Sequence, residues 1–329
     1  MFLGNTGYKS NIEKTAPFFS LTNLDLNTGV ADFGGYYNAA QNQMYFITAR
    51  KKRVFVKKEW SWNANRFLDL YSATVSTDNK LGSPKRVSKV NTKFHEGPLT
   101  FSPDGKTVYF TLNNIASGKK RRDGQKIQNL KLYIATVDAD GKWSDEKEFP
   151  YNSKEYSIGH PALTSDGKTL YLVSDKPGGM GGADLYKVAV LENGAFGEMT
   201  NLGNQINTEG QEMFPFIDAE QRLFFSTDGH PGLGGLDVFV AFLEAGKVGK
   251  IHSLGLPVNS QYDDFAFNLS KDLKTGFVSS NRAGGKGGDD IYAVQLIRPI
   301  AFGVTIKGTA KDKKGEIVPH AKIDLKDDK

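Results

Sequence analysis

The chain of 329 residues contains no cysteine, so disulfide bonds and thiol chemistry are excluded. It contains no run of 18 apolar residues, which excludes a membrane-spanning helix of ordinary length. The first ten residues are polar and lack an apolar h-region, so no signal peptide is expected. A composition without cysteine suits an oxidising compartment but does not require one.

Motifs of the common hydrolases are also missing. The sequence has no GxSxG elbow and no HExxH, since His95-Glu96 is followed by Gly97-Pro98. Its five histidines are scattered, which disfavours a zinc site. The segment 102–107, SPDGKT, has some similarity to the Asp box of sialidases, but the glycine spacing and the closing tryptophan differ. We therefore expect no catalytic residues, no bound metal and no cofactor.

One sequence motif recurs along the chain and is the strongest indication of the fold. It joins an apolar run, a turn, an aromatic run, a glycine-rich loop and a further run rich in Val, Leu and Tyr. The copies are the segments 38–49 with 67–75, 101–112, 163–188, 216–241 and 269–294. An asparagine followed by threonine or serine opens each copy, about 50 to 65 residues after the last one, at Asn27, Asn91, Asn152, Asn207 and Asn259. This period predicts a radial repeat fold.

Each repeat has the pattern of four short antiparallel strands. In the repeat that begins at Asn207, strand-like runs lie at 214–217, 222–226, 236–243 and 250–254. Four such strands make one blade of a β-propeller. The two Asp-Gly pairs, at 104–105 and 166–167, predict hairpin turns in which both residues take positive φ.

The ends of the chain predict how the ring closes. The last repeat has three strands and ends near Leu296, before Arg298-Pro299 interrupts the pattern. The segment 18–24 can supply the missing fourth strand, which would remove the open sheet edges of a partial ring. We therefore predict an all-β, five-bladed β-propeller closed by an N-terminal strand. Six blades are the alternative, but a sixth would need about 40 more residues.

The remaining segments lie outside the ring. Residues 1–17 are predicted to be a lead-in, and residues 18–299 the propeller. The Lys-rich segment 300–329 has two strand-like pieces, at 303–310 and 321–325. It is too short to hold a core of its own, so we predict the truncated start of a further β domain.

These motifs resemble a known family. SPDGKTVYF and SDGKTLYLVSD, with GGxGGxDLY or GGxGGDDIY, resemble the WD-repeat-like propellers of the TolB type. The long glycine loop is similar to that of PorE-like periplasmic proteins of the OmpA family in Bacteroidetes. The tail GTAKDKKGEIVPHAKIDL resembles the opening of the carboxypeptidase-regulatory-like β-sandwich that follows the propeller there. The resemblance implies a periplasmic, outer-membrane-associated protein of the type IX secretion and gliding machinery, with protein partners at that membrane.

Two basic clusters form the first candidate site. They lie where later repeats carry their glycine loops, so we expect them side by side on one face of neighbouring blades. They are either solvated loops or a contact for a protein partner or an anionic envelope glycan. They lack the interleaved aromatics of a nucleic-acid module, so no nucleic acid is expected. The residues are Arg50, Lys51, Lys52, Arg53, Lys57, Lys58, Lys119, Lys120, Arg121 and Arg122.

Polar side chains near the first strand of each repeat form the second candidate site. First strands line the central channel of a propeller, so these residues form either a hydrated channel mouth or a ligand or peptide site. The set is Asp32, His95, Glu96, His160, Glu212, Asp263 and Asp264. A further three, Asp184, Asp237 and Asp290, are interpreted as turn residues beside the glycine loops, with calcium binding as the alternative.

Two classes of function remain open from the sequence. The leading interpretation is a non-enzymatic interaction or scaffold module, in which a rigid ring presents loops to protein partners. The alternative is a glycan-binding or glycan-cleaving propeller. Glycan cleavage would require two carboxylates about 5–9.5 Å apart in an open cleft.

Overall fold

The protein is described by a computed structural model over residues 7–50, 67–76, 80–87, 90–91, 95–113, 115–116, 119–120, 128–192, 194–244, 247–302 and 309–322. The chain divides into two units, Met1–Pro299 and Ile300–Lys329. A short helix, α1 (Tyr8–Lys14), precedes the strands and buries no residue. Within these described ranges, no helix has the length and hydropathy needed to cross a membrane.

Five four-stranded antiparallel sheets build the first unit, and each sheet is one blade. The strand β1 (Phe19–Asn23) belongs to the fifth blade. The first blade holds β2 (Asp32–Asn38), β3 (Gln43–Thr48), β4 (Asp69–Thr74) and β5 (Lys85–Arg86). The second holds β6 (Glu96–Phe101), β7 (Thr107–Asn113), β10 (Leu130–Val137) and β11 (Trp143–Glu148), with a small hairpin of β8 (Ile115–Ala116) and β9 (Lys119–Lys120) between β7 and β10.

The later blades repeat the same order. The third holds β12 (Ile158–Leu163), β13 (Thr169–Ser174), β14 (Asp184–Ala189) and β15 (Thr200–Asn201). The fourth holds β16 (Glu212–Ile217), β17 (Arg222–Thr227), β18 (Asp237–Glu244) and β19 (Lys247–Ser253). The fifth holds β20 (Asp264–Leu269), β21 (Thr275–Ser280), β22 (Asp290–Leu296) and β1. The all-β, five-bladed prediction is confirmed, and the six-bladed alternative is wrong.

The N-terminal strand closes the ring as predicted. β1 pairs antiparallel with β22, placing Phe19 opposite Leu296 and Asn23 opposite Tyr292. The inner strands β2, β6, β12, β16 and β20 lie next to one another in that order, and β20 lies beside β2. Phe18 and Phe19 are 1% exposed, and the Phe19 ring packs edge-on against Phe267 at 5.2 Å. The pairing of β1 with β22 therefore closes the ring through both a hydrogen-bonded ladder and apolar packing.

Apolar side chains hold neighbouring blades together. Between the first and second blades, Tyr45 packs on Phe101 at 5.0 Å and on Trp143 at 6.3 Å. A second cluster joins the third and fourth blades around Leu223. Each side chain of this size contributes about 1.5–3 kcal/mol when fully buried, so blade-on-blade packing is the main stabilising contribution to the ring.

The Asp-Gly hairpins form, but their turn type differs from the prediction. Gly105 and Gly167 have φ of +71° and +72°, whereas Asp104 and Asp166 do not take positive φ. Each aspartate instead accepts hydrogen bonds inside its own turn, for example from the N–H of Lys106 at 3.1 Å. The prediction that both residues take positive φ was wrong, because the aspartate side chain caps a longer turn in which one left-handed glycine suffices.

The second unit is described mainly through residues 309–322. There, Lys311 and Ile317 form an isolated antiparallel bridge. Asp312 accepts the N–H groups of Lys314 and Glu316 in the turn between them. The strand-like pieces predicted at 303–310 and 321–325 lie largely outside the described residues.

Candidate functional site

The repeated asparagine is a structural clamp. In every blade its Oδ1 accepts the N–H, and its Nδ2 donates to the C=O, of one residue in the third strand. The pairs are Asn27 with Ile291, Asn91 with Leu70, Asn152 with Leu132, Asn207 with Leu185, and Asn259 with Val238. The side chain continues the sheet ladder where the fourth strand has ended, which explains why the sequence repeats it.

Four of the predicted channel-mouth carboxylates begin inner strands and are buried. Asp32, Glu96, Glu212 and Asp264 are between 0 and 2% exposed. Three of them accept hydrogen bonds from the hydroxyl and the N–H of the threonine or serine that follows the repeated asparagine. Asp32, for example, accepts a hydrogen bond from the hydroxyl of Thr28 at 2.6 Å. These three carboxylates therefore fasten the loops that lead into β2, β16 and β20.

Arginines complete two of these buried sites. Arg50 pairs with Asp32 at 2.8 Å, and Arg282 pairs with Asp264. Burial is the largest effect on Asp264 and raises the pKa of its carboxyl group, while Arg282 opposes that shift. Arg50, which the sequence placed in the basic docking set, therefore lies inside the ring framework, 15% exposed at its side chain and 4.9 Å from the Phe46 ring.

Two further members of the predicted set lie at seams between blades. His95 Nδ1 accepts the N–H of Leu68 at 3.2 Å, and Asp263 Oδ1 accepts the N–H of Leu236 at 2.9 Å. In both seams the first residue of the inner strand completes the pair: the N–H of Glu96 donates to the carbonyl of Leu68 at 3.0 Å, and that of Asp264 to the carbonyl of Leu236 at 2.7 Å. These side chains extend the hydrogen bonding from one blade to the next.

His160 alone among the predicted set lines the narrow part of the channel, which encloses about 70 Å³. Each inner strand carries a β-bulge there, and His160, Phe214 and Ala266 take left-handed φ of +48°, +51° and +53°. The His160 ring stacks on Phe214 at 4.2 Å, and Phe214 packs on Phe265 at 5.0 Å. Burial lowers the pKa of His160 to about 4, so its imidazole is neutral at pH 7. The lumen is too small for a drug-sized ligand.

A bowl of about 410 Å³ opens at the end of the channel where first and second strands turn. We call this end the turn face. All five blades contribute to the bowl, and among its lining residues Asp218 is the one carboxylate. Asp218 pairs with Arg222 at 2.6 Å and accepts two backbone N–H groups of its own turn. Its hydrogen-bonding capacity is therefore used within the turn.

Two grooves lie between blades near the same face. The groove between the fifth and first blades encloses about 500 Å³ and contains one carboxylate, Asp272, among its lining residues. The groove between the third and fourth blades encloses about 320 Å³ and contains Asp166 and Glu198. Hydrogen bonds from Thr164 and Lys168 lower the pKa of Asp166, which therefore stays ionised at neutral pH.

The aspartates beside the glycine loops cap those loops. Asp184 accepts the N–H groups of Met180 and Gly181, and Asp290 accepts those of Lys286 and Gly287. Throughout the described ranges, no group of three or more His, Cys, Asp or Glu residues is placed to hold a metal ion.

The opposite end of the ring carries the connections between second and third strands, and we call it the loop face. The glycine loops 175–183, 228–236 and 281–289 make this connection in the later blades, and the segments 49–68 and 114–129 make it in the first two. Lys119 and Lys120 form β9, described at the level of its backbone. The other basic candidates lie outside the described residues: Lys51, Lys52, Arg53, Lys57, Lys58, Arg121 and Arg122.

The inner-strand bulges were missed from the sequence, although a signal for them exists. Proline follows the bulge position in His160-Pro161 and Phe214-Pro215, and fills it in Gly97-Pro98. Proline inside a strand pattern marks an edge or a bulge, because it cannot donate to the ladder.

Comparisons with known proteins agree with the fold. No protein-family model and no curated protein matches the chain. It is similar to an exo-β-1,3-galactanase from Clostridium thermocellum, with 14% identity, a TM-score of 0.51, and 85% of this chain and 63% of that chain covered. It is also similar to a Trypanosoma rangeli sialidase in complex with the inhibitor DANA, with 11% identity, a TM-score of 0.47, and coverages of 86% and 60%.

A third similar structure is a puromycin-hydrolyzing peptidase from Mycobacterium tuberculosis, with 14% identity, a TM-score of 0.43, and coverages of 77% and 35%. The chain spans less than two thirds of the length of each of these three proteins. At such identities the likeness shows the fold alone. The first unit is a five-bladed β-propeller.

Proposed function

We propose that this chain is a non-enzymatic interaction module that docks protein partners through its loop face. The repeat motifs resemble PorE-like propellers, so we place it in the periplasm at the outer membrane, in machinery of the type IX secretion kind. The Lys-rich tail then begins a regulatory-like β-sandwich. The partner carries acidic groups, or is an anionic envelope glycan, that match the basic connections of the first two blades.

One observation carries the proposal: three of the four carboxylates that begin inner strands, Asp32, Glu212 and Asp264, are used to hold the ring together. Asp32 and Asp264 are paired with arginines, and Glu212 accepts three hydrogen bonds. The bowl on the turn face has one carboxylate, also ion-paired, among its described lining residues. A rigid frame of this kind supports presentation of loops better than it supports proton transfer.

Charge reversal on each face tests the proposal. Full-length protein with Lys119, Lys120, Arg121 and Arg122 changed to Glu is compared with protein carrying Glu at Lys106, Lys168, Lys271 and Lys274 of the turn-face turns. Both proteins are immobilised and challenged with detergent-solubilised outer membrane at 50, 150 and 500 mM NaCl. We expect the first change to abolish the salt-sensitive capture and the second to leave it intact. Equal capture by both variants would contradict docking through the loop face.

The groove between the third and fourth blades supports a second candidate, glycan binding or cleavage. It is open and holds two carboxylates, Asp166 and Glu198, beside Tyr171 and Lys187. A glycosidase needs a protonated acid at neutral pH, and the lowered pKa of Asp166 makes it unsuited to that role. Incubation with peptidoglycan and with sialosides decides the matter. Hydrolysis that is lost in Glu198→Gln, or in Glu96→Gln or Glu212→Gln, would establish the enzymatic alternative.

A further inference from the structure

A buried residue at the start of each third strand faces a partner on the fourth strand. The pairs are Asp69 with Arg86 at 2.8 Å, Lys131 with Glu148 at 2.8 Å, Asp184 with Asn201 at 3.0 Å, and Asp290 with Asn23 at 2.7 Å. In the fourth blade the same positions are Asp237 and Ser253. The sheet register proves the equivalence, since Phe239 lies opposite Ser253 as Tyr186 lies opposite Asn201.

Ser253 reproduces half of what asparagine does at this position. Its Oγ accepts the Nδ2 of Asn259 at 3.0 Å and the N–H of Gly255 at 3.2 Å. Asn201 Oδ1 accepts the matching groups of the third blade at 2.8 Å each. Asparagine also carries an NH₂ group that donates to the aspartate, and serine has no such group. The fourth blade has therefore kept the acceptor, while the shorter serine hydroxyl makes no hydrogen bond to Asp237 among the described residues.

The carboxylate of Asp237 is left with one unsatisfied oxygen. Its Oδ2 accepts the N–H groups of Leu233 and Gly234, each at 2.8 Å. Its Oδ1 is buried and has no hydrogen-bond partner among the described residues, and Asp237 as a whole is 1% exposed. In the third blade the second oxygen accepts the N–H of Gly181 at 3.2 Å, while the Asn201 amide and the N–H of Met180 share the first. The ionised aspartate of the third blade therefore has three donors over both oxygens, whereas Asp237 has two donors on one oxygen.

The charges around Asp237 make ionisation harder still. Asp264 and Asp263 face it from the start of the fifth blade, Arg282 is held by Asp264, and His230 of the same loop contacts the carbonyl of Ile206 through Nε2. Burial is the largest effect and raises the pKa of Asp237 to about 7, with the two aspartates adding to that shift.

We propose that Asp237 is a pH-sensitive latch on the loop 228–236, closed when its carboxyl group is protonated and released when it ionises. In the closed form the proton sits on Oδ1, the oxygen without a partner, while Oδ2 keeps both backbone N–H groups. On ionisation, Oδ1 needs water, so the loop opens away from the third strand. Opening also strains the seam to the fifth blade, where the N–H of Leu236 donates to Asp263 Oδ1 and its carbonyl accepts the N–H of Asp264. The latch does not depend on the docking role proposed above.

Hydrogen exchange on the full chain tests this latch. The measured quantity is the opening constant of the amides of Leu233, Gly234 and Leu236, corrected for intrinsic exchange, at pH 6 and pH 8.5. The carboxyl pKa of Asp237 is about 4 in the open loop and about 7 in the closed loop, so raising the pH favours opening. The opening constant at pH 8.5 should therefore be about tenfold larger than at pH 6. The amides of Met180 and Gly181, in the equivalent loop of the third blade, are the internal control and should change less than twofold.

Two variants isolate the cause. Ser253→Asn restores the missing NH₂ donor, and Asp237→Asn removes the charge at every pH, so each should reduce the tenfold change to less than twofold. If Ser253→Asn fails to fold, Asp237→Asn decides alone. The proposal is overturned if the wild-type loop shows no more pH dependence than the third-blade loop. It is also overturned if the ¹³C resonance of the Asp237 carboxyl titrates near 4, as it would with a water bound at Oδ1.

Discussion

The first two blades and the last three share one strand order but differ in the side-chain pair that joins the third strand to the fourth. In the third and fifth blades, a buried aspartate at the start of the third strand caps a glycine loop and meets an asparagine. In the first blade, the aspartate meets Arg86 instead. In the second, the charges are exchanged, and Lys131 meets Glu148 at 2.8 Å. Complementarity at this position is therefore kept in four of the five blades while the residue types change, and the fourth blade, with Asp237 and Ser253, departs from it.

The same comparison separates framework from surface. The asparagine clamp is identical in all five blades, because a backbone N–H and C=O must be satisfied wherever the fourth strand ends early. The connection between the second and third strands varies along the sequence: it is a glycine loop in three blades and a longer basic segment in two. Changes to the ring should therefore cost stability, whereas changes to the connections should alter recognition.

The largest effect is expected from removing the strand that closes the ring. Deleting residues 1–24 takes away β1 together with the buried Phe18 and Phe19 and exposes the edge of β22. We expect loss of the cooperative thermal transition, followed by circular dichroism. Deleting residues 1–14 removes α1, which buries nothing, and should leave the transition nearly unchanged. Similar melting of the two truncated proteins would contradict closure by β1.

This closure was predictable from the sequence, and the reason is arithmetic. Five copies of the asparagine marker, a last repeat of three strands and a spare strand-like run before the first marker leave one way to complete the ring. The hairpins were predictable too, although not their turn type, since the aspartate side chain in each turn competes with the backbone preference.

The candidate site was less predictable, because it depends on which partner each polar side chain meets. Arg50 reads as part of a basic loop, yet it folds back onto Asp32, 18 residues earlier. Glu212 and Asp264 read as channel residues, yet the threonine or serine four residues earlier engages each of them. Such contacts follow from the blade geometry, which no single repeat displays. The loss of the side-chain amide at Ser253 becomes visible once the five blades are aligned by their strand register.

The exchanged pair of the second blade provides the next test. Changing Lys131 to Asp places a carboxylate at a position 5% exposed and opposite Glu148, which should cost about 3–5 kcal/mol of unfolding free energy. Adding Glu148→Asn recreates the Asp–Asn pairing of the third blade and should recover more than half of that loss. Urea unfolding of the two variants measures both values. A double variant no more stable than the single one would show that the blades are not interchangeable here.

A smaller loss is expected at the clamp itself. Asn207 is 1% exposed and bonds both backbone groups of Leu185, at 2.8 and 3.0 Å. Asn207→Ala leaves two buried polar groups unsatisfied and should cost about 2–4 kcal/mol. Asn204→Ala, an exposed asparagine in the same loop, is the matched control and should stay within about 0.5 kcal/mol of the wild type. Chemical denaturation of both proteins measures the difference. Equal free energies of unfolding would show that the Asn207 side chain does not stabilise the ring.

The smallest effect concerns the channel, where blades also differ at one position: the first blade has Gly34 and the third has His160, both at left-handed φ. Burial holds the folded pKa of His160 at about 4, below the ordinary value of about 6.5. Between these values the unfolded chain binds a proton that the folded chain does not. The contribution of His160 to the free energy of unfolding is therefore complete above pH 6.5 and falls as the pH drops toward 4. We expect a loss of about 1–2 kcal/mol, because the imidazole borders the small lumen of the channel. His160→Asn accepts the same φ without titrating, so its stability should change less over that range. Parallel pH profiles of unfolding free energy for the two proteins would mean that His160 is protonated as readily in the ring as in the unfolded chain.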